Sequence, residues 1–218
     1  MPRKLKKKTL HTFRHEYGNT PLLENELRND PMSQFSFWLK QAIQAKVFEP
    51  NGMILCTSTL DNHPSSRTIL LKEYDESGLV FFSNTHSRKG EHLSQNPNAS
   101  LTFWWKEIYR QVNFEGAVVA IPRKEVKFYF FKRPKLAQLS ALASAQSEPL
   151  ASRYVLEETF LRLKKKYRGK KVPVPSHFGG YRFVPTRVEF WQGRQSRLHD
   201  RFVYVKVEDS WLITRLAP

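Results

Sequence analysis

The chain has 218 residues, 36 Lys+Arg against 20 Asp+Glu, a formal charge of +16 and 40% apolar residues, with 16 Phe and 5 Trp among them. That content is too apolar for a disordered chain, and no run approaches the ~20 apolar residues of a membrane-spanning helix. The one cysteine, Cys56, excludes an intrachain disulfide framework and a cysteine-based zinc cluster.

Residues 1–30 are polar and irregular and are expected to form a mobile arm ahead of a single domain over 31–218. The amino terminus is basic without the apolar segment of a secretory signal, which predicts a cytoplasmic protein. Phe35, Trp38, Leu39, Ala42, Ile43 and Val47 recur at helical spacing, predicting an amphipathic helix from Pro31 that stops before Pro50. Short β-rich runs follow at 53–59, 67–74, 79–84, 100–105 and 109–119, with turn signals at Asp61-Asn62-His63-Pro64 and Asp75-Glu76-Ser77-Gly78. Helices are expected at 88–95, 123–131 and 149–167, and strands return at 182–192, 202–207 and 211–216. This order predicts a mainly β, antiparallel barrel with peripheral helices rather than a βαβ array.

Two acid-free runs hold 12 of the 36 cations: residues 3–8 and 162–171. Setting them aside leaves 24 basic against 20 acidic residues. Run 3–8 has no aromatic and run 162–171 has only Tyr167, short of the repeated stacking aromatics of a single-strand binder, so nucleic-acid binding is weaker as a reading than a tail and a solvated helix end. The glycines form neither GxGxxG nor GxxxxGK[ST], and no GxSxG elbow is present. His11 and His15 have helical i, i+4 spacing but no HExxH context, and Cys56 sits mid-strand, where a buried inert thiol is the plain expectation.

What remains is a set of cations on or beside predicted strands. In Arg67-Thr68-Ile69-Leu70-Leu71-Lys72, a charge at each end of an apolar strand could anchor two phosphates, one per face; edge gatekeeping is the plainer alternative. Phe82-Ser83-Asn84 leads to Ser87-Arg88-Lys89 at a helix start, where backbone N–H groups, the helix dipole and two cations could cradle a phosphate; a capped surface helix is the alternative. In 189–201, an Arg-x-His-x-Arg pattern read as a strand puts Arg197, His199 and Arg201 on one face. Such crowding is costly unless an anion or an electron-rich ring sits among them.

With these segments the chain resembles the pyridoxamine (pyridoxine) 5′-phosphate oxidase family from Arg14-His-Glu-Tyr17 to Arg215-Leu-Ala-Pro218. The densest likeness is at 189–201, supported by 67–72, 87–89 and Gln146-Ser147. The resemblance implies an FMN-binding split β-barrel working as a homodimer with flavin sites at the subunit interface. It implies FMN contacts from Arg67, Thr68, Ile69, Leu70, Leu71, Lys72, Phe82, Ser83, Arg88, Lys89, Gln111, Gln146, Ser147, Trp191 and Arg201. Ser83 stands where the family usually has threonine. Substrate contacts would come from Arg14, Tyr17, Lys72, Tyr129, Arg133, Arg197 and His199. Of these, Lys72, Tyr129 and Arg133 would grip the phosphate, Arg14 and Tyr17 would form a lid, and Arg197 and His199 would be catalytic. Ala137 departs from the family's serine and removes a hydrogen bond worth roughly 1 kcal/mol.

The implied reaction oxidises the 4′ carbon of pyridoxamine or pyridoxine 5′-phosphate to the aldehyde, with hydride to FMN and reoxidation by O2 to give H2O2. No metal is implied. Two rivals stay open at this point: a split-barrel FMN reductase acting on another substrate, and a basic nucleic-acid-binding module built on residues 3–8 and 162–171.

Overall fold

The structure is a computed structural model that describes residues 10–11 and 15–218; Arg14 and the basic run 3–8 lie outside the described residues. Helix α1 (Pro31–Gln44) starts where Asp30 accepts from the Ser33 N–H at 2.8 Å and Pro31 takes the first helical position. Its stripe of Phe35, Trp38, Leu39 and Ala42 is buried against the sheet, whereas Ile43, expected on the same face, is exposed.

The chain then forms β1 (Gly52–Ser58), β2 (Pro64–Leu70), β3 (Glu73–Asp75), β4 (Gly78–Asn84), α2 (Arg88–Gln95), β5 (Asn98–Trp105) and β6 (Arg110–Ala120). Helices α3 (Arg123–Lys132), α4 (Lys135–Ala143) and α5 (Arg153–Lys166) follow, and β7 (Phe178–Gln192), β8 (Asp200–Val207) and β9 (Ser210–Leu216) complete the chain. All strand pairings are antiparallel, in one nine-stranded sheet. The antiparallel, helix-decorated architecture expected from the strand spacing is therefore what forms.

Strand β7, at 15 residues, organises the sheet. One edge runs along β6, while the other is shared: residues 178–183 pair with β4 and residues 187–192 pair with β8. Pro185, with no N–H to offer a ladder, sits in the gap between those two partners. Opposite it, the β6 register shifts at Glu115/Gly116, and a Cβ on Gly116 would come within 2.1 Å of the Val184 carbonyl oxygen. Only glycine lets the two backbones approach there. The main core packs Trp38, Phe35, Phe103, Trp105, Phe114, Phe190 and Tyr204 between α1 and the sheet. A second cluster, around Val126, Phe130, Leu139, Val172 and Phe178, seats the central helices.

Four local expectations are corrected. The run 67–74 is two strands, because the chain changes partners: Leu71 N–H bonds to Asn51 O and Lys72 N–H to Val80 O, each at 2.9 Å. Helix α4 was not anticipated; Pro134 breaks the helical run after α3 and then caps a new one. Strand β7 begins four residues earlier than expected, at Phe178. Lastly, Arg197 and His199 are not on a strand. Gln195–Arg197 form a 3-10 turn with Ser196 at φ 54° and Arg197 at φ 63°, and β8 begins only at Asp200. The segment 15–30 is seated on the barrel: Leu22 is buried, and its N–H donates to Asp200 Oδ2 at 3.1 Å.

Candidate active site

Strands β2 and β4, the start of α2, helices α3 and α4 and the loop after α4 enclose a cleft of about 720 Å³. Thirteen of the expected site residues line it: Arg67, Thr68, Ile69, Leu70, Lys72, Phe82, Ser83, Arg88, Lys89, Tyr129, Arg133, Gln146 and Ser147. Leu71 does not; its side chain points into the core, a consequence of the partner switch between β2 and β3. Among the described residues, the lining holds five cations (Arg67, Lys72, Arg88, Lys89 and Arg133) and no carboxylate. Like charges at this density repel and lose hydration unless an anion joins them, so the cleft is suited to strongly anionic ligands.

Two of the cations are held in place by neighbouring groups, and those around Arg67 were not singled out by the sequence alone. Arg67 Nη1 donates to Leu55 O at 3.1 Å and to Thr57 Oγ1 at 2.8 Å, and Nη2 donates to Ser65 Oγ at 2.8 Å. Three of its five N–H groups are thereby used, leaving Nε and one Nη2 proton as a fork for a phosphate. Behind it, Thr57 Oγ1 lies 3.2 Å from His92 Nδ1. Ser65 was findable, since it shares the Arg67 face at period two; Thr57 and His92 left no local signal. Lys89 Nζ donates to Ser87 Oγ at 3.0 Å and to Gln146 Oε1 at 3.1 Å, leaving one N–H free. Burial, reinforced by the Arg67 charge, pulls the Lys89 ammonium down to about 8.

At the other end, Arg133 lies over the Phe178 ring at 4.9 Å, and its buried Nη1 has no hydrogen-bond partner among the described residues. Burial lowers its pKa and raises that of neighbouring Tyr129. The Tyr129 ring stacks on Phe82 at 3.6 Å and 8°, which fixes the phenol beside Arg133. Ala137 lines the cleft, whereas Ser140 faces an adjoining cavity of about 770 Å³ and donates its hydroxyl to Ala137 O at 3.0 Å. Ser140 does not replace the missing serine.

The remaining expected residues form a second group that does not line this cleft: Tyr17, Gln111, Trp191, Arg197, His199 and Arg201. Gln111 is in register with Trp191 across β6 and β7, and Trp191 with Arg201 across β7 and β8. Tyr17 sits edge-on to Trp191 (5.6 Å) and His199 (5.4 Å), with the Arg197 guanidinium 5.0 Å from its ring centre. Burial, then Arg197 and Arg201, lowers the His199 pKa. Arg201 is bound to Glu189 (Nε to Oε1, 2.9 Å) and to Ala217 O (2.9 Å). The expected residues thus fall into two groups: a cation-lined cleft, and an aromatic–cationic cluster ending in Arg197 and His199.

A family model described as pyridoxamine 5′-phosphate oxidase matches residues 39–167, and one described as pyridoxine 5′-phosphate oxidase C-terminal dimerisation region matches 178–218. A pyridoxine/pyridoxamine 5′-phosphate oxidase of Trichormus variabilis is 47% identical over 97% of this chain and 99% of its own. One from Vibrio vulnificus is 45% identical, covering 96% of this chain and 99% of its own. Among solved structures, PhzG from Burkholderia lata, in complex with tetrahydrophenazine-1-carboxylic acid, superposes with a TM-score of 0.87 at 31% identity, over 92% of this chain and 99% of that one. An FMN-binding protein of Nostoc punctiforme shares the fold, with a TM-score of 0.68 at 16% identity, over 87% of this chain and 98% of its own. With cleft, split sheet and sequence in accord, the chain belongs to the pyridoxamine 5′-phosphate oxidase family.

Proposed function

We propose that this protein is an FMN-dependent oxidase, a cytoplasmic homodimer that converts pyridoxamine or pyridoxine 5′-phosphate to pyridoxal 5′-phosphate. The observation that carries this reading is a cleft that, among the described residues, gathers five cations, no carboxylate and a buried Arg133 Nη1 without a hydrogen-bond partner. Its donors fall into two sets, which fits two phosphorylated ligands. Arg67, Arg88 and Lys89, with the Ser83 hydroxyl, would hold the FMN phosphate, and Gln146 and Ser147 would reach the same cofactor. Lys72, Tyr129 and Arg133 would hold the substrate phosphate.

A partner copy would contribute Gln111, Trp191 and Arg201 toward the flavin and Tyr17, Arg197 and His199 toward the substrate, with Arg14 on the same arm. The match of 178–218 to a dimerisation region supports this, because that segment carries Trp191, Arg197, His199 and Arg201. Bound FMN supplies a two-electron acceptor that dioxygen regenerates. The balanced reaction for the amine consumes O2 and water and yields aldehyde, ammonia and H2O2. The phosphate contacts orient the pyridine, which supplies the proximity term. Arg197 lies over the ring and supports developing charge, and His199 hydrogen-bonds a substrate oxygen.

The likeness to PhzG favours a second reading, oxidation of a carboxylated tricyclic compound. Lys72, Tyr129 and Arg133 weigh against it, since three donors at one end suit a phosphate. The test is peroxide release from pyridoxamine and pyridoxine 5′-phosphates compared with their unphosphorylated forms. Loss of the phosphate contacts should lower kcat/KM by a hundredfold or more, on the order of 3 kcal/mol. Equal rates with and without the phosphate would overturn the assignment.

A further inference from the structure

We propose that Asp200, acting through Arg194, is a positioning residue that fixes the His199 ring as an Nε2–H hydrogen-bond donor toward the substrate; this rests on the oxidase reading above. The Arg194 backbone N–H points at His199 Nδ1 from 3.0 Å. A backbone amide can only donate, so Nδ1 must present its lone pair, and the single proton of the neutral ring is on Nε2. The nitrogen left for the substrate therefore carries a hydrogen and cannot take up a proton. This makes His199 a donor rather than a general base.

The geometry depends on Arg194, which lies in an irregular stretch just before the 3-10 turn with positive φ at Ser196 and Arg197. What anchors it is Asp200. One carboxylate oxygen, Oδ2, accepts from Arg194 Nη1 at 2.8 Å and from the Leu22 N–H at 3.1 Å; the other, Oδ1, accepts from Arg215 Nη1 at 2.7 Å. Arg194 is also tied to Asn19 Oδ1, through Nη2 at 3.0 Å. One carboxylate thus ties together the arm that carries Tyr17, the turn that carries Arg197 and the carboxyl-terminal strand. Tyr17 and Trp191 lie against the His199 ring at 5.4 and 4.6 Å between ring centres, and burial, then the Arg197 and Arg201 charges, lowers its pKa against the opposing Asp200 charge.

Two measurements on the FMN-loaded enzyme test this. In ¹⁵N-histidine spectra, the His199 signals, identified by their loss in His199→Gln, should show a pyridine-like Nδ1 and a pyrrole-like Nε2. A pyrrole-like Nδ1 would overturn the proposal. In a double-mutant cycle, Asp200→Asn should lower kcat/KM roughly ten- to a hundredfold in the wild-type background, as a misplaced reacting group does. In a His199→Asn background it should cost almost nothing, and FMN affinity should be unchanged in both. An equal cost in the two backgrounds would mean that Asp200 acts elsewhere and would refute the assignment. Should Asp200→Asn not fold, Arg194→Met carries the same cycle, since it frees the donating amide from Asp200 without removing it. If the wild-type enzyme oxidises neither phosphorylated substrate, the oxidase reading fails, while the ¹⁵N spectrum still reports which nitrogen is protonated.

Discussion

Replacing Lys89 by methionine separates the two costs that this residue balances. Lys89 is 6% exposed and sits near Arg67, and its pKa of about 8 against an ordinary 10.5 means that the native apoprotein resists its charge. At pH 7 that resistance amounts to roughly 3 kcal/mol of lost apoprotein stability. The sign follows from linkage: between about pH 8 and 10.5 the unfolded chain keeps a proton that the native lysine has shed, so apoprotein stability rises with pH through that window. A bound phosphate reverses the preference, because it favours the charged form. FMN affinity should accordingly fall as pH rises above about 8. In Lys89→Met the free N–H is lost, removing a charge-assisted bond of roughly 1.5–3 kcal/mol, which is about ten- to a hundredfold in Kd. The apoprotein should melt no lower than wild type, and the pH dependence of FMN binding above 8 should flatten. Titration of apoprotein into FMN, followed by fluorescence quenching at pH 7 and pH 9, measures both. A Kd within about threefold of wild type at pH 7, less than the ~1 kcal/mol of one ordinary hydrogen bond, would refute the placement of Lys89 at the phosphate. An unchanged pH slope would refute the role given to its proton.

Arg197→Met should cut turnover sharply while leaving the FMN Kd nearly unchanged, and normal turnover would sink the role given to Arg197. Ala137→Ser should restore a donor to the wall of the cleft and lower the KM for phosphorylated substrate by roughly fivefold, the worth of a ~1 kcal/mol bond, without altering FMN binding. Gly116→Ala forces a methyl against the Val184 carbonyl at the β6 bulge and should destabilise the protein by about 1–3 kcal/mol, seen as a drop of several degrees in Tm; a melting temperature equal to wild type would contradict the close approach described for β6 and β7.

Much of the fold was legible because its signals are local. The stripe of α1, the Asp61–Pro64 and Asp75–Gly78 turns and the Ser87-Arg88 helix start each depend on residues a few positions apart, and each formed where expected. Two of the misreadings share one cause, a strand rule overruled by a distant partner. Leu71 and Lys72 continue the β pattern of Arg67–Leu70, yet their N–H groups bond to Asn51 and to Val80, so the strand breaks. Arg197-Leu-His199 alternates like a strand, but Gly193 N–H bonds to Tyr109 O at 2.7 Å and the segment closes into a 3-10 turn. Supporting residues such as Thr57, His92 and Asp200 were invisible for the same reason, since a hydroxyl, a ring or a carboxylate far along the chain shows no sign of what it will touch.

The sequence by itself determined the antiparallel, helix-decorated class, the family, and which cations are candidates for phosphate binding. All of these rest on short-range patterns and on residue chemistry that does not depend on position in space. Only the tertiary structure decided that Arg67, Lys72, Arg88, Lys89 and Arg133 converge on one cleft, carboxylate-free among the described residues. It alone separated Trp191, Arg197 and His199 into another group, and it alone set which nitrogen of His199 faces outward. Convergence and hydrogen-bond direction are properties of folded geometry, brought about by contacts between residues up to 193 positions apart, as Leu22 and Arg215 are.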